Sequence, residues 1–93
     1  MTEENKAADE DVYHFPCEFP IKAMGYFDKH IEKQVCDILA KYVPTIDQCP
    51  VKTKPSSHGK YLAVTVTITA TSKEQLDNIY RALHEAPDIV MTL

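Results

Sequence analysis

Two amphipathic helical stretches, one long alternating strand and the tight turn before it predict an α+β chain. Strand, helix, strand, strand, helix, strand is the expected order, and helices linking strands of one sheet need crossovers on the same side of it. The simplest arrangement is a ferredoxin-like βαββαβ sandwich. It has an antiparallel sheet of order 4-1-3-2 and both helices on one face. At 93 residues the chain allows a single domain.

Phe19 to Gly25 alternates, with Phe19, Ile21 and Ala23 on one side, and reads as the first strand. Asp28 is placed to cap a following helix, with Phe27 packing back as a staple. Ile31, Val35, Ile38, Leu39 and Tyr42 share one helical face, and Pro44 stops the helix. A loop over Thr45 to Pro50 leads to an extended stretch, Val51 to Ser56. Pro55 cannot donate to a ladder, so this stretch belongs at a sheet edge.

The Lys54-Pro55-Ser56-Ser57-His58-Gly59-Lys60-Tyr61 turn then feeds the cleanest strand in the chain. Leu62, Val64, Val66, Ile68 and Ala70 point one way, and Tyr61, Ala63, Thr65, Thr67 and Thr69 the other. Thr71/Glu74 and Ser72/Gln75 are overlapping capping boxes for a second helix with its face at Leu76, Ile79, Tyr80 and Leu83. After Pro87, Ile89, Met91 and Leu93 alternate to the last residue. Burial of two or three of them makes the final strand important to stability.

Charge is uneven along the chain. Glu3, Glu4, Asp9, Glu10 and Asp11 stand against Lys6 alone in the first eleven residues. This accounts for the whole formal net charge of −4 and leaves Val12 to Leu93 neutral. Residues 1–14 are too polar to repay ordering and are expected to be a disordered acidic tail, with the domain over 15–93. A neutral body argues against nucleic acid and against an anionic membrane as partners. The absence of any long apolar run argues against a membrane span. Three widely spaced cysteines, Cys17, Cys36 and Cys49, suit a reducing compartment, so the expected location is the cytoplasm.

Few groups suggest chemistry. His14 and Cys17 have an H-x-x-C spacing but no second pair to complete a metal site, so neither metal nor other cofactor is expected. No cysteine or serine sits in a recognisable nucleophile motif. RNA-binding domains of this shape stack bases on central-strand aromatics, and only Tyr61 starts the long strand here. Its other outward positions are Thr65, Thr67 and Thr69. They form either a solvated face or a contact surface, for a partner or for a weak homodimer of an otherwise monomeric chain. Ser56, Ser57, Gly59, Lys54 and Lys60 are the group types of an anion-binding turn, and equally those of a simple hairpin.

Two blocks carry a family likeness. One is Phe15-Pro16, Phe19, Lys22 and Met24-Gly25. The other is Lys54-Pro55-Ser56-Ser57, Gly59 and Tyr61, continuing through Ala70-Thr71 and Glu74-Gln75 to Asp88-Ile89-Val90-Met91 and Leu93. Together they resemble the YbeD family of small bacterial proteins. The resemblance implies an ACT-like, ferredoxin-like fold, a regulatory rather than enzymatic role and a link to lipoate metabolism. By position it directs ligand binding to Met24, Gly25, Tyr26 and Phe27, although the acidic-Pro-Gly loop usual in ACT domains is absent. Lys22, Met24, Gly25, Lys54, Ser56, Ser57, Gly59, Lys60 and Tyr61 are therefore the candidate site for a small metabolite or a partner protein. The competing class is a small phosphate- or acyl-handling hydrolase. Against it, the only arginine, Arg81, falls on the polar side of the second helix, away from the first strand–helix loop.

Overall fold

Four strands and two helices follow one another in the expected order. The structure, a computed structural model, describes residues 14–92. The expected tail therefore falls, but for His14, outside the described residues. The elements are β1 (Cys17–Tyr26), α1 (Ile31–Ala40), β2 (Val51–Pro55), β3 (Tyr61–Ala70), α2 (Lys73–Glu85) and β4 (Ile89–Thr92). The sheet is antiparallel throughout and its order is β2-β3-β1-β4, the expected one. It is the ferredoxin-like sandwich.

β1 and β3 pair without interruption from Cys17↔Ala70 to Tyr26↔Tyr61. Because side chains alternate along a strand, this register decides which face every residue of both strands occupies. Ile21 and Ala23 of β1, and Val64, Val66, Ile68 and Ala70 of β3, are buried beneath the helices. They meet Ile31, Val35 and Leu39 of α1 and Leu76, Ile79 and Leu83 of α2. The anticipated helical faces are the observed ones, with Ile38, Tyr42 and Tyr80 half-buried at their margins. Val43, just past α1, joins the core as well.

β1 is longer than its alternation suggested, and it holds a proline. Pro20 lies opposite Thr67 on β3, whereas β4 pairs only with Ala23 to Gly25. At Pro20 the other side of β1 has no strand neighbour. A missing N–H costs nothing on an unpaired side, so the position tolerates proline.

Helix entry departs from expectation at α1 and follows it at α2. Phe27–Lys29 winds into a 3₁₀ turn, which places Asp28 inside the turn instead of at the cap. His30, in left-handed backbone (φ 55°), precedes α1 with no side-chain cap bond. Phe27 stays half exposed and is no buried staple. At α2 the Ser72 hydroxyl accepts from the Gln75 N–H at 3.0 Å. The Gln75 carboxamide oxygen accepts from the Thr71 N–H at 2.8 Å, and its NH₂ donates to the Tyr42 carbonyl at 2.8 Å. One side chain thus ties the start of α2 to the end of α1, and the Thr71/Glu74 box is not formed.

β4 also corrects an expectation. Ile89 lies opposite Gly25, but Met91 lies opposite Met24, with a bulge between. Val90 is the extra residue. A bulge changes which face the residues beyond it occupy. Ile89 is buried, while Val90 and Met91 are 44% and 49% exposed. Thr92 turns to the helical side, where its hydroxyl meets His84 Nε2 at 2.7 Å. Ile89 alone, of the buried alternation foreseen there, anchors the described part of the strand.

Gly25 lies inside the sandwich at that same point. A Cβ there would collide with the Asp88 carbonyl oxygen and the Ile31 side chain. Replacement by alanine must push β4 or α1 away. Gly25→Ala is expected to cost about 1–3 kcal/mol in urea unfolding. Ile89→Ala is expected to cost about 2–5 kcal/mol, and Met91→Ala to stay within ~0.5 kcal/mol. Equal losses at Ile89 and Met91 would contradict the bulged register.

Candidate functional site

The helices cover one face of the sheet and leave the other open. Cross-strand rows on the open face follow from the register. Lys52 and Lys22 flank Thr65. In the next row Lys54, Ala63, Met24 and Met91 run across all four strands. Tyr26 and Tyr61 face each other in a third row, with ring centroids 5.8 Å apart. Adjacent strands lie ~4.8 Å apart, so lysines on β2 and β1 that flank β3 are separated by ~10 Å at the backbone.

Lys60 completes this set. Its Nζ lies 5.4 Å from the centre of the Tyr61 ring, a cation–π contact that leans it over the open face. Four lysines, Lys22, Lys52, Lys54 and Lys60, thus stand on this side against two carboxylates: Glu18, opposite Thr69 at the far end, and Asp28, which lines a recess with Lys60. Elsewhere between Val12 and Leu93 five cations face seven carboxylates. The neutral body inferred from composition is therefore polarised, basic on the sheet and acidic on the helices and loops.

The two stretches singled out in the sequence meet in space. The Phe27 N–H donates to the Lys60 carbonyl at 2.9 Å, so the loop after β1 is bonded to the turn before β3. Lys22 and Met24 lie on the open face, and Tyr26 and Phe27 at its corner. Gly25 does not join them, because it is buried on the helical side. A recess of about 310 Å³ between Tyr26, Phe27, Asp28, Gly59 and Lys60 marks the junction. On the other side of Phe27, a groove of about 370 Å³ runs along His30, Ile31, Lys33, Cys36 and Leu62.

Within the turn the hydrogen bonds are those of a hairpin. Ser56 N–H donates to the Tyr61 carbonyl at 2.9 Å, the Tyr61 N–H to the Ser56 hydroxyl at 3.1 Å, and the Gly59 N–H to the Ser56 carbonyl at 2.9 Å. Ser56 and Gly59 thereby serve the turn itself. Ser57, Lys54 and Lys60 remain exposed.

Sequence reasoning missed Val90, Met91 and Lys52 as members of this surface. Val90 and Met91 depended on the bulge, which no residue pattern announced. Lys52 belongs to no motif, and only the register with Thr65 brings it beside Lys22. Among the described residues no three His, Cys, Asp or Glu side chains converge as metal ligands. Cys17, Cys36 and Cys49 are all unbridged. Burial pushes the Cys36 thiol up from its ordinary value, and nearby Glu32 and Asp37 add to the effect. Such a thiol is a poor nucleophile at neutral pH.

Two measurements test these assignments. Gly59 has φ 71°, and a Cβ there would meet nothing within 4 Å. Gly59→Val is therefore expected to cost ~1 kcal/mol or more through backbone conformation alone, read by urea unfolding. No loss would show that the turn adopts another conformation. For Cys36, the folded protein holds the proton more tightly than the unfolded chain. Its contribution to stability is present below the ordinary thiol value and falls as pH rises through the folded one. Alkylation of Cys36 by iodoacetamide at about pH 8 is expected to be slower than that of an unhindered thiol of ordinary pKa. Faster reaction would overturn the assignment.

Residues 10–93 match the family described as "Protein of unknown function (DUF493)". The UPF0250 protein of Nitrosomonas europaea is 40% identical over 85 residues, covering 91% of this chain and 98% of that one. That of Neisseria gonorrhoeae is 40% identical over 93 residues, covering 98% and 100%. The solution structure of protein HP0495 from H. pylori superposes with a TM-score of 0.64 at 17% identity, over 85% of this chain and 82% of that one, and shares the fold. These likenesses show that the chain belongs to the DUF493/UPF0250 family, the YbeD family of small bacterial proteins.

Proposed function

We propose that this protein is a non-catalytic docking module whose open sheet face receives an acidic, amphipathic segment of a partner protein. One observation carries the reading. The exposed large apolar side chains among the described residues, Tyr26, Phe27, Val90 and Met91, lie toward one end of the sheet, with Met24 and Lys60 near them and Lys54 at the opposite edge of the Met24 row. Clustered apolar anchors within a charged rim are the composition of a protein-binding surface. The apolar side chains supply the burial, and the lysines steer encounter and set register.

Alternative occupants fit less well. The recesses at this corner are surface grooves of about 310 and 370 Å³, and a small metabolite needs most of its surface enclosed. A symmetric homodimer through Thr65, Thr67 and Thr69 would oppose two lysine-rich faces and bring like charges together. Nucleic acid favours arginine forks and aromatic faces open for stacking. Here Arg81 is on α2, and Tyr26 and Tyr61 contact each other. The link to lipoate metabolism implied by the family resemblance indicates where such a partner is to be sought.

Fluorescence anisotropy with a labelled synthetic peptide of alternating Glu and Leu tests the reading. The Lys22→Glu/Lys54→Glu double variant is expected to bind about tenfold or more weakly than the parent at low salt. Its unfolding free energy should change by no more than ~0.5 kcal/mol per site, since both lysines are exposed. Equal binding by both proteins would overturn the proposal. So would lysine-dependent binding of single-stranded oligonucleotide or anionic vesicles in place of the peptide, or lysine-dependent hydrolysis of p-nitrophenyl phosphate or acetate.

A further inference from the structure

We propose that the recess between the end of β3 and the loop before β2 binds a guanidinium group, at a site separate from the docking corner. It lies at the opposite end of the open face from Tyr26. The recess holds about 160 Å³, and Glu18, Gln48, Pro50, Thr67 and Thr69 are among the residues that line it. That is room for a head group and not for a drug-sized molecule.

Backbone geometry leaves unused hydrogen-bonding groups there. The Thr67 N–H donates to the Pro50 carbonyl at 3.1 Å, so Thr67 directs both its N–H and its C=O toward β2. In an antiparallel pair the residue opposite returns a donor, but Pro50 has no N–H to give the Thr67 carbonyl. Thr69, two residues on, directs its N–H and C=O the same way. β2 begins only at Val51, so no strand faces Thr69 on that side. Gln48 would stand opposite it, yet the Gln48 N–H donates within the 3₁₀ turn, to the Thr45 carbonyl at 2.9 Å. The Thr67 carbonyl and both Thr69 backbone groups thus have no backbone partner among the described residues.

Glu18 adds the charge. It lies opposite Thr69, and both are exposed on the open face. Because Phe27 and Lys60 are hydrogen-bonded at the other end of this ladder, Glu18 and Thr69 form a non-hydrogen-bonded pair, with Cα atoms about 4.5 Å apart. The Glu18 carboxylate has no ion pair or hydrogen bond among the described residues. No other charged side chain lines the recess. The lysines of the face begin at the row of Lys22, four residues along β1 and about 13 Å away at the backbone. That exceeds the screening length of about 8 Å at physiological salt.

Charge and geometry together select the ligand. A lone carboxylate favours a cation. The Thr67 and Thr69 carbonyls lie in the plane of the sheet at its edge, whereas the Glu18 carboxylate stands off its face. A guanidinium is a planar fork of N–H donors with no acceptor, suited to bridging the two sets. An ammonium is a compact, strongly hydrated point charge. Calcium takes about six to eight oxygen ligands, several of them commonly carboxylates, where one carboxylate stands here. A free small molecule and an arginine side chain of a partner carry the same head group.

Backbone amide NMR of the full chain, titrated with methylguanidinium chloride at constant ionic strength, tests the proposal. Saturating shifts are expected at Gln48, Thr67 and Thr69, with a Kd in the millimolar range. Glu18→Gln removes a charge-assisted bond and is expected to bind about tenfold or more weakly. Its urea unfolding midpoint should not move, because Glu18 is exposed. Pro50→Ala offers the Thr67 carbonyl a ladder donor and is expected to bind about threefold more weakly. Absence of saturating shifts at these amides would overturn the proposal. So would unchanged binding in both variants, or equal binding of methylammonium or calcium chloride. A blocked Ala-Arg-Ala peptide separates the two sources. Tighter binding than methylguanidinium, with an added shift at the Thr69 amide, assigns the site to a partner's arginine. Equal or weaker binding assigns it to a free guanidinium compound.

Discussion

The antiparallel ladder between Cys17–Tyr26 and Tyr61–Ala70 is the constraint on which the rest of the molecule depends. Its register assigns every residue of the two central strands to the helical or the open face at once. A slip of one residue would expose Val64, Val66 and Ile68 and bury threonines instead. Burial of a Val or Ile side chain is worth about 1.5–3 kcal/mol, so the slipped register is excluded by several such terms. The helices then have one place to go. Ile31, Val35 and Leu39 on α1, and Leu76, Ile79 and Leu83 on α2, close over the same six strand residues.

The same ladder creates the candidate site. It brings Tyr26 at the end of one strand against Tyr61 at the start of the other, thirty-five positions later in the chain. It also aligns Lys22 with Thr65, which β2 in turn aligns with Lys52. Charges that cancel in composition are therefore sorted by face. The acidic side chains cluster on helices and loops, where α1 and α2 also hold exposed i,i+4 pairs such as Lys33–Asp37 at 2.9 Å. Pairs of that kind contribute little to stability. The polarisation matters for what approaches the sheet.

Local order at the corner has a structural origin independent of binding. Gly25 admits the Asp88 carbonyl and the Ile31 side chain, and the bulge at Val90 follows where β4 meets this tight approach. One consequence is that Val90 and Met91 are left in solvent next to Tyr26 and Phe27. A second is that the loop after β1 is held against the hairpin through Phe27 and Lys60. The apolar corner is thus set by close packing that the core enforces, with Lys60 near it.

Much of the fold was readable in the residues. The alternation from Tyr61 to Ala70, the helical spacings and Ser72 before Gln75 each reflect interactions between residues close in sequence, and all match the structure. Pro55 marked an edge strand because a missing N–H is a local fact. The candidate residues Lys22, Met24, Lys54, Lys60 and Tyr61 were also named from sequence, as two separate stretches. What tertiary structure decided was their union, the burial of Gly25 and the exposure of Met91. The 3₁₀ turn that displaced Asp28 from the cap was likewise not announced locally. Each of these depends on which distant backbone lies opposite a residue, and only the closed sheet, with its register and its bulge, determines that.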